Sequence, residues 1–394
     1  MSHSVPTLDI DPFGEEFQRD PDSFHERLRE AGPVVFLERY DVWAVARYAE
    51  VHEVLRDHER FCSAAGVGLA NFWHEKPWRP PSLLVEADPP EHIRPRRITS
   101  RALSPRAIEP LRPELERHAD ELATGVVAQG RFDGVTDFAQ PYLVQVFPDA
   151  FGLAPGGGEN LLVYGDMAFN LFGPRNELAQ EAMAAGMPLH EWFGRQCERG
   201  SLSAGGLGAG VYAAVDRGEA TEEEAGLLVR ALISAGLDST IDGIAWTLHL
   251  LAGSPEAWAA LRDDPQLARP AFEEALRISS PVGHYFRTTT REVRLAGAVI
   301  PARQKVMCFV GAANRDPREW DDPDRFDIRR KSAGHLAFGS GVHACVGAAF
   351  ARIEAESLLN ALALRARTLE PAGPPISRRH NVLRSLCHLP LRVS

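Results

Sequence analysis

The spacing of apolar residues changes character along the chain. From Val34 to Tyr48, VVFLERYDVWAVARY alternates and is rich in β-branched and aromatic residues, which predicts a hairpin of two short strands. From about residue 100 the apolar positions recur at helical intervals for most of the remaining length, predicting roughly a dozen helical segments. A second β-rich zone, REVRLAGAVIPARQKVMCFV (291–310), precedes a proline-rich acidic stretch, NRDPREWDDPDRFDIRR (314–330). The glycine clusters GLAPGGGENL and SLSAGGLGAG read as loops, and neither is long or charged enough for a flexible linker between domains. No repeat stands at a solenoid period. The expectation is one domain over 1–394, mainly α with small β-sheets.

Composition narrows the class. With 44% hydrophobic and 25% charged residues the chain has the make-up of an ordinary globular protein. A formal net charge of -11 lacks the basic footprint of nucleic-acid binding. The N-terminus has no basic stretch followed by an apolar one, so no secretory signal is expected. The apolar run from Leu227 to Gly253 is broken by Arg230, Asp238, Asp242 and His249, which excludes a membrane span. A cytoplasmic location is expected. The cysteines, Cys62, Cys197, Cys308, Cys345 and Cys387, are odd in number and include no C-x-x-C pair, so neither a disulfide framework nor a zinc ribbon is signalled.

One cysteine stands apart. In FGSGVHACVG (338–347), Gly339, Gly341 and Gly347 permit a tight backbone, and the helical pattern AAFARIEAESLLNAL follows directly. Cys345 is thus predicted at a helix start, where free N–H groups and the helix dipole stabilise a thiolate. Four roles suit such a sulfur. It is a buried small hydrophobe, or a zinc ligand, for which His343 and Cys345 lack a second pair. Otherwise it is a nucleophile with His343 as base, or an axial thiolate ligand of haem iron.

The decapeptide matches every fixed position of F-G-x-G-x-H-x-C-x-G, the haem-binding signature of the cytochromes P450, and the chain therefore resembles that family. The resemblance implies a helix-rich triangular prism around a buried haem b, iron protoporphyrin IX. In it Cys345 is the axial thiolate and metal ligand, Phe338 packs beside the sulfur, Gly339 and Gly347 leave room for the macrocycle, and His343 meets a propionate. An E-x-x-R helix is expected upstream, and EEALR supplies Glu274 and Arg277, a spacing that sets carboxylate and guanidinium on one helix face. The resemblance makes them part of a structural ion network, with Arg315 and DRFDIRR, that supports the cysteine loop.

ALISAGLDSTIDGIAWTLHLL reads as one long helix with an acid, hydroxyls and a glycine in its middle, a composition that hydroxyl-to-carbonyl bonding bends. Ala235, Gly236 and Asp238 match the family's oxygen-binding notch, A/G-G-x-D/E-T-T/S. Ser239 departs from its usual threonine, keeping the hydroxyl and losing the stiffening β-methyl, with peroxide leakage as the expected cost. Asp238 is assigned as a relay acid exchanging with solvent and Ser239 as its hydroxyl partner. The family's H-x-x-x-R pattern appears as His92 and Arg96, and together with Arg287 in YFRTTTREV it supplies groups for the two propionates.

Through EKPWRPPSL, FNLFGPRNEL, LLVRALISAGLD and FRTTTREV the chain further resembles the bacterial members that O-demethylate para-substituted benzoic acids. That resemblance implies a narrow slot with Val85, Phe169, Phe172, Val282 and Tyr285 around an aromatic ring. Arg79 and Ser82 would hold the carboxylate, with Arg230 and Ser234 near the same end. Ala231 stands where the relatives tend to carry serine, which weakens the preference for a benzoate or shifts it to a longer acid such as a cinnamate. The expected reaction is monooxygenation with O2 at the para substituent. A terpene or fatty acid substrate is the alternative within the class. Electrons are expected from a [2Fe-2S] ferredoxin and its NAD(P)H-dependent reductase, the ferredoxin docking on the basic stretch HIRPRRITSRALSPR. A haem-thiolate sensor has no need of Asp238 and Ser239, and a peroxide-driven member usually replaces them.

Overall fold

The computed structural model describes residues 5–394. Helices carry most of the chain, and the described residues add four small sheets. The mainly α class with small sheets is therefore the observed one.

The predicted hairpin forms within a six-stranded sheet. Its strands are β1 (Thr7–Leu8), β2 (Val35–Leu37), β3 (Val42–Val45), β4 (Phe61–Cys62), β5 (His284–Thr289) and β6 (Lys305–Phe309), in the spatial order β1-β2-β3-β6-β5-β4. Val35 pairs antiparallel with Ala44, Trp43 parallel with Val306, and His284 antiparallel with Phe309. KVMCF of β6 is buried at every position, as an interior strand covered on both faces requires. The rest of the second β-rich zone is a hairpin of its own. Val293–Leu295 pairs with Ala298–Ile300 across Ala296 and Gly297, both at positive φ, the conformation of a tight two-residue turn.

The helices that frame the interior are α1 (Ile93–Ala102), α2 (Arg112–Gln129), α3 (Gln140–Phe151), α4 (Gly158–Asn170), α5 (Glu222–Gly236), α6 (Asp238–Ala252), α7 (Ala268–Ser279) and α8 (Ala348–Arg365). α8 packs on α2 and α7, α6 on α7, and α5 on α4. α5 opens on a capping box in which Thr221 Oγ1 accepts from Glu224 N and Glu224 Oε2 accepts from Thr221 N.

The sequence differs from its fold in four places. The long helix expected over 231–251 is interrupted at Leu237 (φ -85°, ψ -64°), which belongs to neither α5 nor α6. The cause is local: Ser239 Oγ and Thr240 Oγ1 donate to the carbonyls of Ala235 and Gly236, which a continuous helix would offer to backbone N–H groups. Helices also precede residue 100, at Pro21–Ala31 and Tyr48–Arg56. The glycine-rich loops end sooner than their composition suggests, since Gly158 and Leu207 already begin helices. Finally, the C-terminal strands Ile376–Arg378 and Ser385–His388 pair with each other and return the chain beside α6. Among the described residues no helix is long and apolar enough to cross a membrane.

Candidate active site

A large cavity, mainly apolar, lies between α5, the start of α6, β5 and the cysteine loop. Cys345 is the cysteine that opens onto it. Its accessibility is to this interior space; protein encloses the thiol on its other sides, and burial pushes its pKa up. The Gly347 and Ala348 amides at the start of α8, with Arg96 and Arg352, pull in the opposite direction.

The glycines explain the loop's shape. Gly339 and Gly341 adopt φ +68° and +73°, and a Cβ on Gly341 would lie 2.9 Å from Arg56 Cα. The turn then closes through Cys345 N donating to Phe338 O at 2.7 Å. These observations decide among the four roles. Among the described residues no three His, Cys, Asp or Glu side chains gather as a metal site, which removes the zinc reading. His343 makes no hydrogen bond to Cys345 among the described residues, and its Nε2 lies instead 3.2 Å from Asp88 Oδ1, which leaves the nucleophile reading without its base contact. A sulfur facing a cavity is no core filler.

The cations around the loop fit a haem. Arg287 is buried, donates to Phe286 O at 2.8 Å and has no carboxylate partner among the described residues. Arg96 likewise lacks one, its Nη1 donating to Ala344 O at 2.5 Å. His92, immediately before α1, is 2% exposed, its Nε2 has no hydrogen-bond partner, and its ring lies 4.5 Å from that of His343. Burial and the neighbouring positive charges lower the His92 pKa to about 4. Buried cations and an orphaned imidazole are the donor set that two propionate carboxylates would complete.

Behind the loop lies the predicted pair. Arg277 Nε and Nη2 both donate to Glu274 at 2.8 Å, and neither side chain has any exposure. Arg277 Nη1 also donates to the carbonyls of Asn314 and Pro323, while Glu274 accepts from Arg330 Nε and Ser332 Oγ. Asn314 Oδ1 in turn accepts from Leu336 N at 2.7 Å, at the root of the cysteine loop. Arg315, expected in this network, pairs with Asp324, the first residue of DRFDIRR, and with Asp22, and makes no hydrogen bond to Glu274 or Arg277 among the described residues.

On the opposite wall the α5–α6 interruption brings Ala235, Gly236 and Ser239 to the cavity, joined by Thr240. A Cβ on Gly236 would lie 2.5 Å from Phe147 Cε2, so α5 approaches α3 closely here. Asp238 is not the solvent-exchanging carboxylate expected. It is buried, points away from the cavity toward Gly165 on α4, and burial raises its pKa to about 8. Arg378 and Asp166 stand close enough to influence it, as does Asp242, whose own pKa burial raises to about 7. Arg378 Nη1 donates to Asp166 Oδ1 at 2.5 Å, and Asp242 Oδ2 accepts from Ser385 Oγ at 2.6 Å.

The residues expected to bind substrate all reach the cavity: Arg79, Ser82, Val85, Phe169, Phe172, Arg230, Ser234, Val282 and Tyr285. Their electrostatic states differ. Arg79 Nη1 already donates to Glu86 Oε2 at 2.7 Å, whereas Arg230 contacts the Tyr164 hydroxyl and lies 3.4 Å from His190 Nδ1. Glu86, Tyr164, Arg378 and Asp242 are the residues that sequence reasoning passed over. Asp242 is visible one helical turn after Asp238; Arg378 lies in a C-terminal strand that carries no motif.

The arrangement combines a cavity-facing thiol, unpaired cations beside it, hydroxyls and buried acids opposite, and cations at the far end of an apolar slot. The family model described as Cytochrome P450 matches residues 212–383. The chain is 52% identical over 391 residues to "Cytochrome p450 CYP199A2" of Rhodopseudomonas palustris, covering 99% of this chain and 95% of that protein. It is 32% identical to "Cytochrome P450 107B1" of Saccharopolyspora erythraea, covering 98% of both. Among solved structures, CYP109Q5 from Chondromyces apiculatus superposes with a TM-score of 0.80 at 31% identity, covering 98% of each chain. CalO2 superposes with a TM-score of 0.85 at 26% identity, again covering 98% of each.

Proposed function

The chain belongs to the cytochrome P450 family and is a haem-thiolate monooxygenase; from that premise we propose that it oxidises the para substituent of a small aromatic carboxylic acid, within one domain spanning 1–394. The observation that carries this reading is the polarity of the slot: Arg79, Ser82, Arg230 and Ser234 stand among apolar walls that include Val85, Phe169 and Phe172. A carboxylate bound there fixes the ring's axis, and the substituent at the other end is held toward Cys345.

When bound, haem with a thiolate ligand supplies the oxygen activation that inserts one atom of O2 into a C–H bond. Cys345 would hold the iron through its sulfur, with Phe338 beside it and Gly339 and Gly347 leaving room for the macrocycle. Arg96, Arg287, His92 and His343 would take the propionates. Glu274 and Arg277 brace the loop through Asn314. Asp238, with a pKa of about 8, holds a proton at neutral pH behind the cavity wall; its side chain would have to turn from Gly165 toward the cavity to deliver it, and Ser239 is the hydroxyl on the cavity side that would receive it. Oxidation of a methoxy carbon gives a hemiacetal that collapses to a phenol and formaldehyde.

The electron donor in this reading is a [2Fe-2S] ferredoxin with an NAD(P)H-dependent reductase. The basic stretch proposed for docking is partly neutralised, because Arg94 pairs with Glu224 and Arg101 with Glu219. Arg97 and Arg106 remain exposed there without an acidic partner among the described residues, and they are the residues of the stretch left for an acidic partner.

The test is optical. The reduced protein with carbon monoxide should show the far red-shifted Soret band of thiolate ligation, and 4-methoxybenzoate should convert the resting iron to high spin, with formaldehyde formed on turnover. A spin shift with a neutral terpene or a fatty acid but none with 4-methoxybenzoate overturns the aromatic-acid reading.

A further inference from the structure

Two arginines face the acid-binding end of the slot, and their surroundings are unlike. Arg79 has a buried counter-ion: Glu86 Oε2 accepts from Arg79 Nη1 and from Ser82 N, each at 2.7 Å, and the Glu86 side chain is 3% exposed. Arg79 Nη1 also donates to Pro80 O at 2.9 Å. Arg230 has no carboxylate partner among the described residues. Its neighbours are the Tyr164 hydroxyl, whose pKa burial raises, and His190, whose pKa burial and Arg230 itself lower, so both are neutral. Tyr164 stacks on Phe193 at 3.8 Å and feels the charge of both arginines, which places them around one end of the cavity.

We infer that Glu86 is a positioning residue that sets substrate charge: by neutralising Arg79 it leaves Arg230 as the cation that binds the substrate carboxylate. This rests on the aromatic-acid reading above and deepens it. Two guanidiniums and one carboxylate sum to a single positive charge, so the end of the slot is matched to a monoanion. Ser82 contributes as well. Its Oγ accepts weakly from Leu84 N and Val85 N at 3.2 and 3.3 Å, which leaves its own proton free for the ligand. Arg79 then acts by holding Glu86 and the loop around Ser82, and its charge is available to substrate only if Glu86 is removed.

The consequence is an unusual double-variant pattern. Arg79→Met strands the Glu86 carboxylate, cancels the charge of Arg230 and weakens 4-methoxybenzoate binding by on the order of 10- to 100-fold, the range of a hydrogen bond to a charged group. Adding Glu86→Gln removes the stranded carboxylate, so R79M/E86Q binds 4-methoxybenzoate within about threefold of the parent because Arg230 persists. Arg230→Met loses binding in either background. Calorimetric titration of the haem-loaded proteins reads each of these affinities.

If R79M/E86Q binds as poorly as R79M while the parent binds well, Arg79 is the direct anchor and the inference is overturned with the aromatic-acid reading intact. A parent that ignores 4-methoxybenzoate but binds its methyl ester overturns both. The E86Q single variant gives a check free of loop damage. With 4-methoxyphenylphosphonate, whose second ionisation falls near neutral pH, E86Q should favour the dianion about tenfold more than the parent does, relative to 4-methoxybenzoate at each pH. An unchanged ratio overturns the charge-setting role.

Discussion

Replacing Arg277 by methionine should remove much of the protein's stability, and the structure sets the size of the loss. The substitution keeps the apolar stem and deletes a guanidinium of zero exposure that makes two 2.8 Å bonds to Glu274 and one each to the carbonyls of Asn314 and Pro323. Removing one partner of a buried ion pair costs about 3–5 kcal/mol. A stranded buried acceptor costs about 1–3 kcal/mol, but these losses share one side chain and do not add in full. Because Arg330 and Ser332 still serve Glu274, the low end applies, and the expected loss is about 3 kcal/mol. Against a typical net stability of about 5–15 kcal/mol that is a large fraction.

Urea unfolding followed by tryptophan fluorescence measures it. Trp320 is a local reporter, with the Arg277 guanidinium carbon 5.4 Å from its ring centre. The double variant E274L/R277M leaves no carboxylate stranded in the interior, and Arg330 keeps its bonds to the carbonyls of Asp321 and Asp322, so it should recover part of the loss. A cost below about 1 kcal/mol for R277M, or a double variant no better than the sum of its parts, would refute the reasoning. The same variant should loosen the cysteine loop, because Asn314 is held between Arg277 and Leu336 N. The reduced carbon monoxide complex of R277M should therefore lose red-shifted absorbance in step with stability.

Other expectations follow from the same geometry. Asp238 is protonated below its pKa of about 8, so turnover limited by its proton should fall as pH rises through that value. Arg378 favours the ionised form, and R378Q should move this alkaline limb to higher pH; a pH–rate profile that stays in place removes Asp238 from the relay. Ser239→Thr keeps the hydroxyl and adds the β-methyl that restricts its rotamers, and the peroxide released per reducing equivalent should drop, read as hydrogen peroxide formed per NADH consumed. Gly341→Ala forces a Cβ to within 2.9 Å of Arg56 Cα at φ +73°, and should cost about 2–4 kcal/mol and lower the yield of haem-loaded protein.

What was legible in the sequence follows the distance over which a feature is encoded. The cysteine loop is written in ten consecutive residues, and both its positive-φ glycines and its helix start are local requirements. The Glu274–Arg277 pair is one helical turn. The interruption at Leu237 was half visible: the hydroxyls were in view, but which carbonyls they would capture depends on side-chain orientation. Glu86 stands seven residues from Arg79, and their pairing needs the loop to fold back on itself. Arg378 had no local signal at all, since its place beside α6 is fixed by pairing in the C-terminal strands.

Yet the need for some such cation was implicit once burial is known. Asp166, Asp238 and Asp242 meet a single arginine, and Asp166 holds it at 2.5 Å. One cation balances one carboxylate, so the other two acids must remain neutral or draw charge from solvent. The two raised pKa values fall on Asp238 and Asp242, the buried pair at the start of α6. A helix that carries two acids one turn apart, in a stretch otherwise apolar enough to be buried, therefore predicts a store of protons rather than a pair of charges. That distinction separates a buried protonated acid from a surface carboxylate, and it rests on the chemistry of burial: Asp238 and Asp242 keep their protons on the side of α6 away from the cavity that Ser239 faces.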